Sequence, residues 1–185
     1  MRQGWDEQSL ARLCSEKDRQ AQEELYTRYA ARLFTLCLRY SGSRDEAQDL
    51  VHDTVLKALD KISSFKYKGN GSLYAWISRI AVNTALAGIS RFKIRFVPMT
   101  SSVSESLPEP TDEEFNSIPQ EKLLEFISKL PDTQRAIFNM FCIDGYSHKE
   151  IAGALGISER GSTSMLAKAK AQLRKQINEY LKKSE

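Results

Sequence analysis

Apolar residues recur at spacings of three and four along most of the chain, which predicts an all-α fold. Leu10, Leu13 and Cys14 mark a short first helix within residues 6–17. Leu25, Tyr29, Leu33, Leu36, Cys37 and Tyr40 mark a second over 20–40, with Ser41 and Gly42 ending it. Ser43 followed by Glu46 predicts a capping box for a third helix, whose apolar stripe runs through Ala47, Leu50, Val51, Thr54, Val55, Ala58, Leu59 and Ile62. Ser72 is placed to cap a fourth helix in which Leu73, Trp76, Ile77, Ile80 and Ala81 face inward. After a break, helices are expected at 120–130 and 132–141. Two more follow, the last running on to Leu181.

The stretch 144–173 reads as helix, tight turn, helix. Ile151, Ala152, Leu155 and Ile157 fit the inner face of a helix-turn-helix, where Ala152 must be small because the second helix crosses it. Gly156 supplies the turn, and the Ser158 hydroxyl can accept a bond from a free amide of the following helix. Arg160, Thr163, Ser164, Lys168 and Lys170 then share its polar side. They combine phosphate-binding cations with short hydrogen-bonding side chains suited to the major groove. An ordinary helical hairpin with a solvated basic face has the same pattern.

Composition explains the break. Residues 96–119 contain four prolines, many serines and no Lys or Arg, too polar to form a core, so an extended acidic linker is expected. It divides the 185 residues into two small helical domains, 1–95 and 120–185. Lys and Arg against Asp and Glu number 16 and 11 in residues 1–95, 0 and 5 in 96–120, and 11 and 8 in 121–185. The chain is thus basic, acidic, basic. Cys14, Cys37 and Cys142 are odd in number and lack metal-ligand spacing, as expected of a reducing cytosol. With no signal peptide or spanning run read, the expectation is a soluble cytoplasmic protein without membrane insertion.

Two surfaces carry candidate chemistry. The polar side of the third helix holds Asp45, Asp49, His52, Asp53 and Lys57. Asp49, His52 and Asp53 meet on one face, so they could ligate a metal or act as an acid/base cluster; a partner-docking surface explains the spacing without a cofactor. The segment FKYKGNG, residues 65–71, is a loop that interleaves Phe65, Lys66, Tyr67 and Lys68 with two glycines. Trp76, Arg79 and Asn83 follow, then the basic strip Arg91, Lys93 and Arg95. Aromatics beside cations and a hydrogen-bonding Asn are what unpaired nucleic acid requires. Core aromatics among solvated charges would give the same composition.

The residues SLYAWISRIAVNTA, 72–85, resemble the promoter-melting segment of bacterial extracytoplasmic-function (ECF) sigma factors of the sigma-70 family. Asp49-Leu50-Val51-His52-Asp53 resembles their core-binding helix, and Leu130-Pro131 with 151–173 resembles their promoter-upstream domain. The resemblance implies a non-catalytic subunit that needs no cofactor. Its partners would be core RNA polymerase, through the largest and second-largest subunits, promoter DNA and an anti-sigma factor. Asp49, Leu50, His52 and Asp53 would bind core. Phe65, Lys66, Tyr67, Lys68, Trp76, Arg79 and Asn83 would bind the melted minus-ten element. Ser158, Arg160, Thr163, Ser164 and Lys168 would bind the minus-thirty-five element. The linker would follow the RNA-exit path rather than act as a passive tether.

The recognition helix departs from the family's usual E-G-T-V-K-S-R. Gly161 lies in its first turn, Ser162 stands where an apolar residue commonly packs, and Thr163 and Met165 replace cations. Two other classes compete: a two-domain helix-turn-helix regulator that binds its operator without polymerase, and a metal-dependent nuclease using Asp49, His52 and Asp53.

Overall fold

The computed structural model describes residues 5–91 and 117–183. Among the described residues there are eight α-helices and no strands, so the fold is all-α as the periodicity requires. Two compact units divide the chain, Met1–Ala87 and Gly88–Glu185. Most of the expected linker, together with Lys93 and Arg95, lies outside the described residues. Its end is described, and Ile118 there is a buried member of the second unit's core, so that unit begins before residue 120.

In the first unit, α1 (Glu7–Ser15) and α2 (Arg19–Ser41) are joined by a tight turn. Lys17 takes a left-handed φ of 62° there. Asp6 and Asp18 cap the two helices, accepting from Ser9 N–H at 2.7 Å and Ala21 N–H at 2.8 Å. Gly42, at φ 79°, closes α2 in the conformation that a Cβ disfavours. Ser43 caps α3 (Arg44–Lys61) by accepting from Glu46 N–H, one half of the box expected there. A single 3-10 turn, Ile62–Ser64, leads into the loop before α4 (Ser72–Arg91).

Leu10, Leu25, Leu33, Cys37, Ala58, Leu73, Ile77 and Ala81 are completely buried and form the core of this unit. Trp76 and Ile80, expected to face inward, are only half-buried; Val82, Ala85 and Leu86 complete the buried face of α4. Burial raises the Cys14 and Cys37 thiols to about 11, which keeps both protonated at neutral pH.

The second unit contains α5 (Gln120–Ser128), α6 (Asp132–Phe138), α7 (His148–Leu155) and α8 (Glu159–Leu181). Phe126 and Leu130 pack with Ala169, Leu173 and Ile177 of α8. Arg135 is buried, and its guanidinium donates to the carbonyls of Ser128 and Leu130 at 3.1 and 2.9 Å and to Asp132 at 2.6 Å. Those bonds satisfy carbonyls at the end of α5 and pin the Leu130-Pro131 turn. The helix expected over 132–141 ends at Phe138 and widens into one π turn, Asn139–Ile143, closed by the Asp144 N–H donating to Asn139 O at 2.9 Å.

Candidate nucleic-acid interface

The Ser147 hydroxyl and the Glu150 carboxylate form a complete capping box at the start of α7. Gly156 turns the chain at φ 67°, and Ile157 N–H donates back to Ala152 O at 3.1 Å. The Ser158 hydroxyl then accepts from Gly161 N–H at 3.0 Å. A Cβ at Gly161 would lie 3.2 Å from that same hydroxyl, so glycine's low helix propensity is partly offset by room for the cap.

The inner face of α8 is Ser162, Leu166, Ala169, Leu173 and Ile177, all buried. Ser162 is completely buried, and its hydroxyl is hydrogen-bonded to His148 Nδ1 at 2.9 Å. The His148 ring stacks on Phe141, centroids 4.4 Å apart. The polar residue in an apolar position therefore has a partner on α7. Arg160, Thr163 and Lys168 are exposed, and Ser164 is half-buried. Their spacing places them on one side of α8 with the exposed Ala167 between them. The Thr163 hydroxyl donates to Glu159 O at 3.1 Å, which leaves its lone pairs and methyl outward. Lys170 is exposed on a neighbouring stripe of the helix.

In the first unit the loop 65–71 is held open to solvent. Gly69 and Gly71 have φ of 117° and 88°, values that a side chain strains. The Ser72 hydroxyl, expected to cap α4, instead accepts from Lys68 N–H at 3.2 Å, because Ser72 is already helical. The first turn of α4 is satisfied from elsewhere: Glu7 Oε2 accepts from Leu73 N–H at 3.0 Å, while Glu7 Oε1 accepts from Tyr29 O–H at 2.9 Å.

Lys66, Lys68, Arg79 and Asn83 are exposed, and Arg79 and Asn83 are one turn apart on the same side of α4. Tyr67 is 39% exposed, with its hydroxyl donating to Asn70 Oδ1 at 3.1 Å. Phe65 and Trp76 are half-buried against each other, centroids 5.6 Å apart. These aromatics are thus partly exposed rather than fully buried in the core.

On α3, Asp49, His52 and Asp53 are exposed and Leu50 is half-buried. His52 stacks on Tyr26 of α2, centroids 6.0 Å apart. Leu56, one turn beyond Asp53, is 62% exposed. The face therefore combines two carboxylates with an apolar residue. Among the described residues no group of three or more His, Cys, Asp and Glu side chains is placed to hold a metal, and no helix is long and apolar enough to cross a membrane.

Comparison with known proteins gives these surfaces a family. The Sigma-70 region 2 profile matches residues 25–92, and the Sigma-70 region 4 profile matches residues 120–173. The RNA polymerase sigma factor YlaC of Bacillus subtilis is 28% identical over 167 residues, covering 87% of this chain and 94% of its own. The ECF RNA polymerase sigma factor SigM of Mycobacterium tuberculosis is 29% identical over 156 residues, covering 84% of this chain and 76% of its own. Among solved structures, the sigma factor RpoE in complex with the anti-sigma factor NepR from Bartonella quintana shares the fold at a TM-score of 0.52. It is 21% identical and covers 84% of this chain and 96% of that one. The chain belongs to the sigma-70 family of RNA polymerase sigma factors, in its extracytoplasmic-function group.

Proposed function

We propose that this chain is an initiation subunit that binds core RNA polymerase, brings it to a promoter and opens the strands there. Its domains divide the labour: the N-terminal unit docks on core and holds the melted minus-ten element, and the C-terminal unit, which takes in Ile118, reads the minus-thirty-five element. The observation that carries this is the loop 65–71 with α4, where Lys66, Lys68, Arg79 and Asn83 lie exposed beside partly open aromatic rings. Such a surface favours unpaired bases over stacked ones, and that difference is what drives opening.

Asp49, Asp53 and Leu56 serve as the docking face for core, with His52 and Leu50 supporting it from α3. Arg160, Thr163, Ser164 and Lys168 meet the upstream element, with Ser158 holding the helix end that presents them. The protein acts in the cytoplasm, without catalysis of its own and without a cofactor. A regulatory partner of the anti-sigma type fits this reading, since a solved relative is described in complex with one.

The test is run-off transcription with purified core enzyme on a library of promoter fragments. Transcripts that require both core and this chain support the reading. Tight binding of the isolated chain to duplex DNA, with no transcript on adding core, would instead fit an operator-binding regulator.

A further inference from the structure

Glu7 is half-buried at the start of α1, and its carboxylate joins three helices: Oε1 accepts from Tyr29 O–H of α2 at 2.9 Å, and Oε2 accepts from Leu73 N–H of α4 at 3.0 Å. The Leu73 amide belongs to the first turn of α4, where no intrahelical acceptor exists, and a negative charge is favoured at that end of a helix. The adjacent residue, Ser72, accepts from Lys68 N–H, and Ser72 N–H donates to Gly69 O at 3.2 Å. The carboxylate thus holds the helix start to which the lysine-bearing loop is tied. Helix α1 also flanks that loop directly, because Gln8, Ala11 and Arg12 face Ile62, Phe65 and Tyr67 across a cleft of about 220 Å³.

We infer that Glu7 is a positioning residue for strand opening: it fixes the loop 65–71 in advance, so that binding an unpaired strand costs less ordering of the loop. The inference rests on the strand-opening reading of residues 65–83. A loop already held needs little further loss of freedom when it binds, and the saving counts most where binding must also offset unpairing.

The experiment uses the full chain with core RNA polymerase, a duplex promoter selected with the wild-type protein, and the same promoter with a mismatched minus-ten region. Glu7→Leu is expected to lower duplex output roughly fivefold, as loss of a helix-capping bond implies, and premelted output less than about twofold. Amide protection across residues 68–73 should fall by a similar factor. Glu7→Ala, which adds no bulk, should do the same. Glu7→Gln keeps an acceptor for Leu73 and a donor for the Tyr29 oxygen, so it should restore both readouts. Tyr29→Phe removes the other bond to the same carboxylate, and should lower stability without changing the ratio of duplex to premelted output.

An unchanged ratio for Glu7→Leu and Glu7→Ala overturns the inference, as does an equal shift in Tyr29→Phe. Asn83→Ala, run alongside, separates the two levels. If it shifts the ratio and the Glu7 variants do not, only the positioning role falls; if neither shifts it, the strand-opening assignment falls as well.

Discussion

The Ser162 hydroxyl and His148 Nδ1, 2.9 Å apart, make one polar pair across the two helices of the helix-turn-helix. Ser162 is completely buried, so the pair occupies space where an apolar contact would otherwise fix the angle between α7 and α8. A hydrogen bond fixes it more narrowly than a methyl contact, since both distance and direction matter. Ser162→Ala should cost about 1 kcal/mol, and His148→Ala more, because it also removes the stack on Phe141. Both tryptophans, Trp5 and Trp76, lie within Met1–Ala87, so tryptophan fluorescence does not report on this unit. Amide exchange of α7 and α8 does. Equal protection in wild type and both variants would show that the pair contributes nothing.

Tyr29 gives a pH signature for the first unit. Burial, and then its bond to the Glu7 carboxylate, push its hydroxyl from 10.0 up to about 12. A pKa raised on folding contributes stability that is fully present below the unfolded value and is lost as pH rises through the folded one. The unit should therefore loosen between about pH 10 and 12, with the Tyr29 ring resonances titrating at the upper end. In Glu7→Gln the charge is gone, and the Tyr29 midpoint should fall. A midpoint near 10 in the wild type would contradict the buried pair.

Replacing Asp49 and Asp53 together with Ala should weaken binding to core polymerase about tenfold or more, while stability changes by no more than about 0.5 kcal/mol. Exposed helix carboxylates contribute little to folding but are needed where a partner supplies cations. Leu56→Ala should add to the loss, since this residue is 62% exposed and has apolar area to bury only against a partner. Titration of labelled protein with core measures all three. Unchanged affinity would remove α3 from the docking surface.

Arg160 is exposed in the first turn of α8. Arg160→Ala should cost roughly 1 to 3 kcal/mol of discrimination if its guanidinium pairs with a guanine edge, and should weaken all sequences alike if it touches only phosphate. Comparing promoter variants across the upstream element separates these outcomes. Equal transcription by mutant and wild type from every variant would leave Arg160 a solvated charge.

Much of this was legible in the sequence, because helical periodicity and caps are local. The stripe of α3, the turn at Gly156 and the Ser158 cap all stand where spacing places them. What escaped depended on partners distant in the chain. Glu7 reaches Leu73 across 66 positions, and no local pattern marks it. Ser162 had a readable clue, since a hydroxyl in an apolar stripe must find a partner, and His148 lies fourteen residues before it. Ser72 stands one position further into the helix than its spacing predicts. Starting the helix rather than preceding it, its hydroxyl closes the loop instead of capping the turn. Ile118 looked like linker because its neighbours are polar, yet one apolar side chain sufficed to anchor it in the core.

Opening a duplex costs about 1.4 kcal/mol of stacking for each base-pair step, which a protein offsets only by holding the single strand more tightly than the duplex. Asn83 and the loop lysines Lys66 and Lys68 are exposed, and on the proposed function they are the groups that would hold that strand. The most direct measurement is run-off transcription by holoenzyme carrying Lys66→Ala, Lys68→Ala and Asn83→Ala together, on a duplex promoter and on one with its minus-ten region already mismatched. Output from the duplex should fall roughly tenfold or more relative to the premelted template, because premelting removes part of the cost these residues offset. Equal loss on both templates, or no loss on either, would contradict a role for this surface in strand opening.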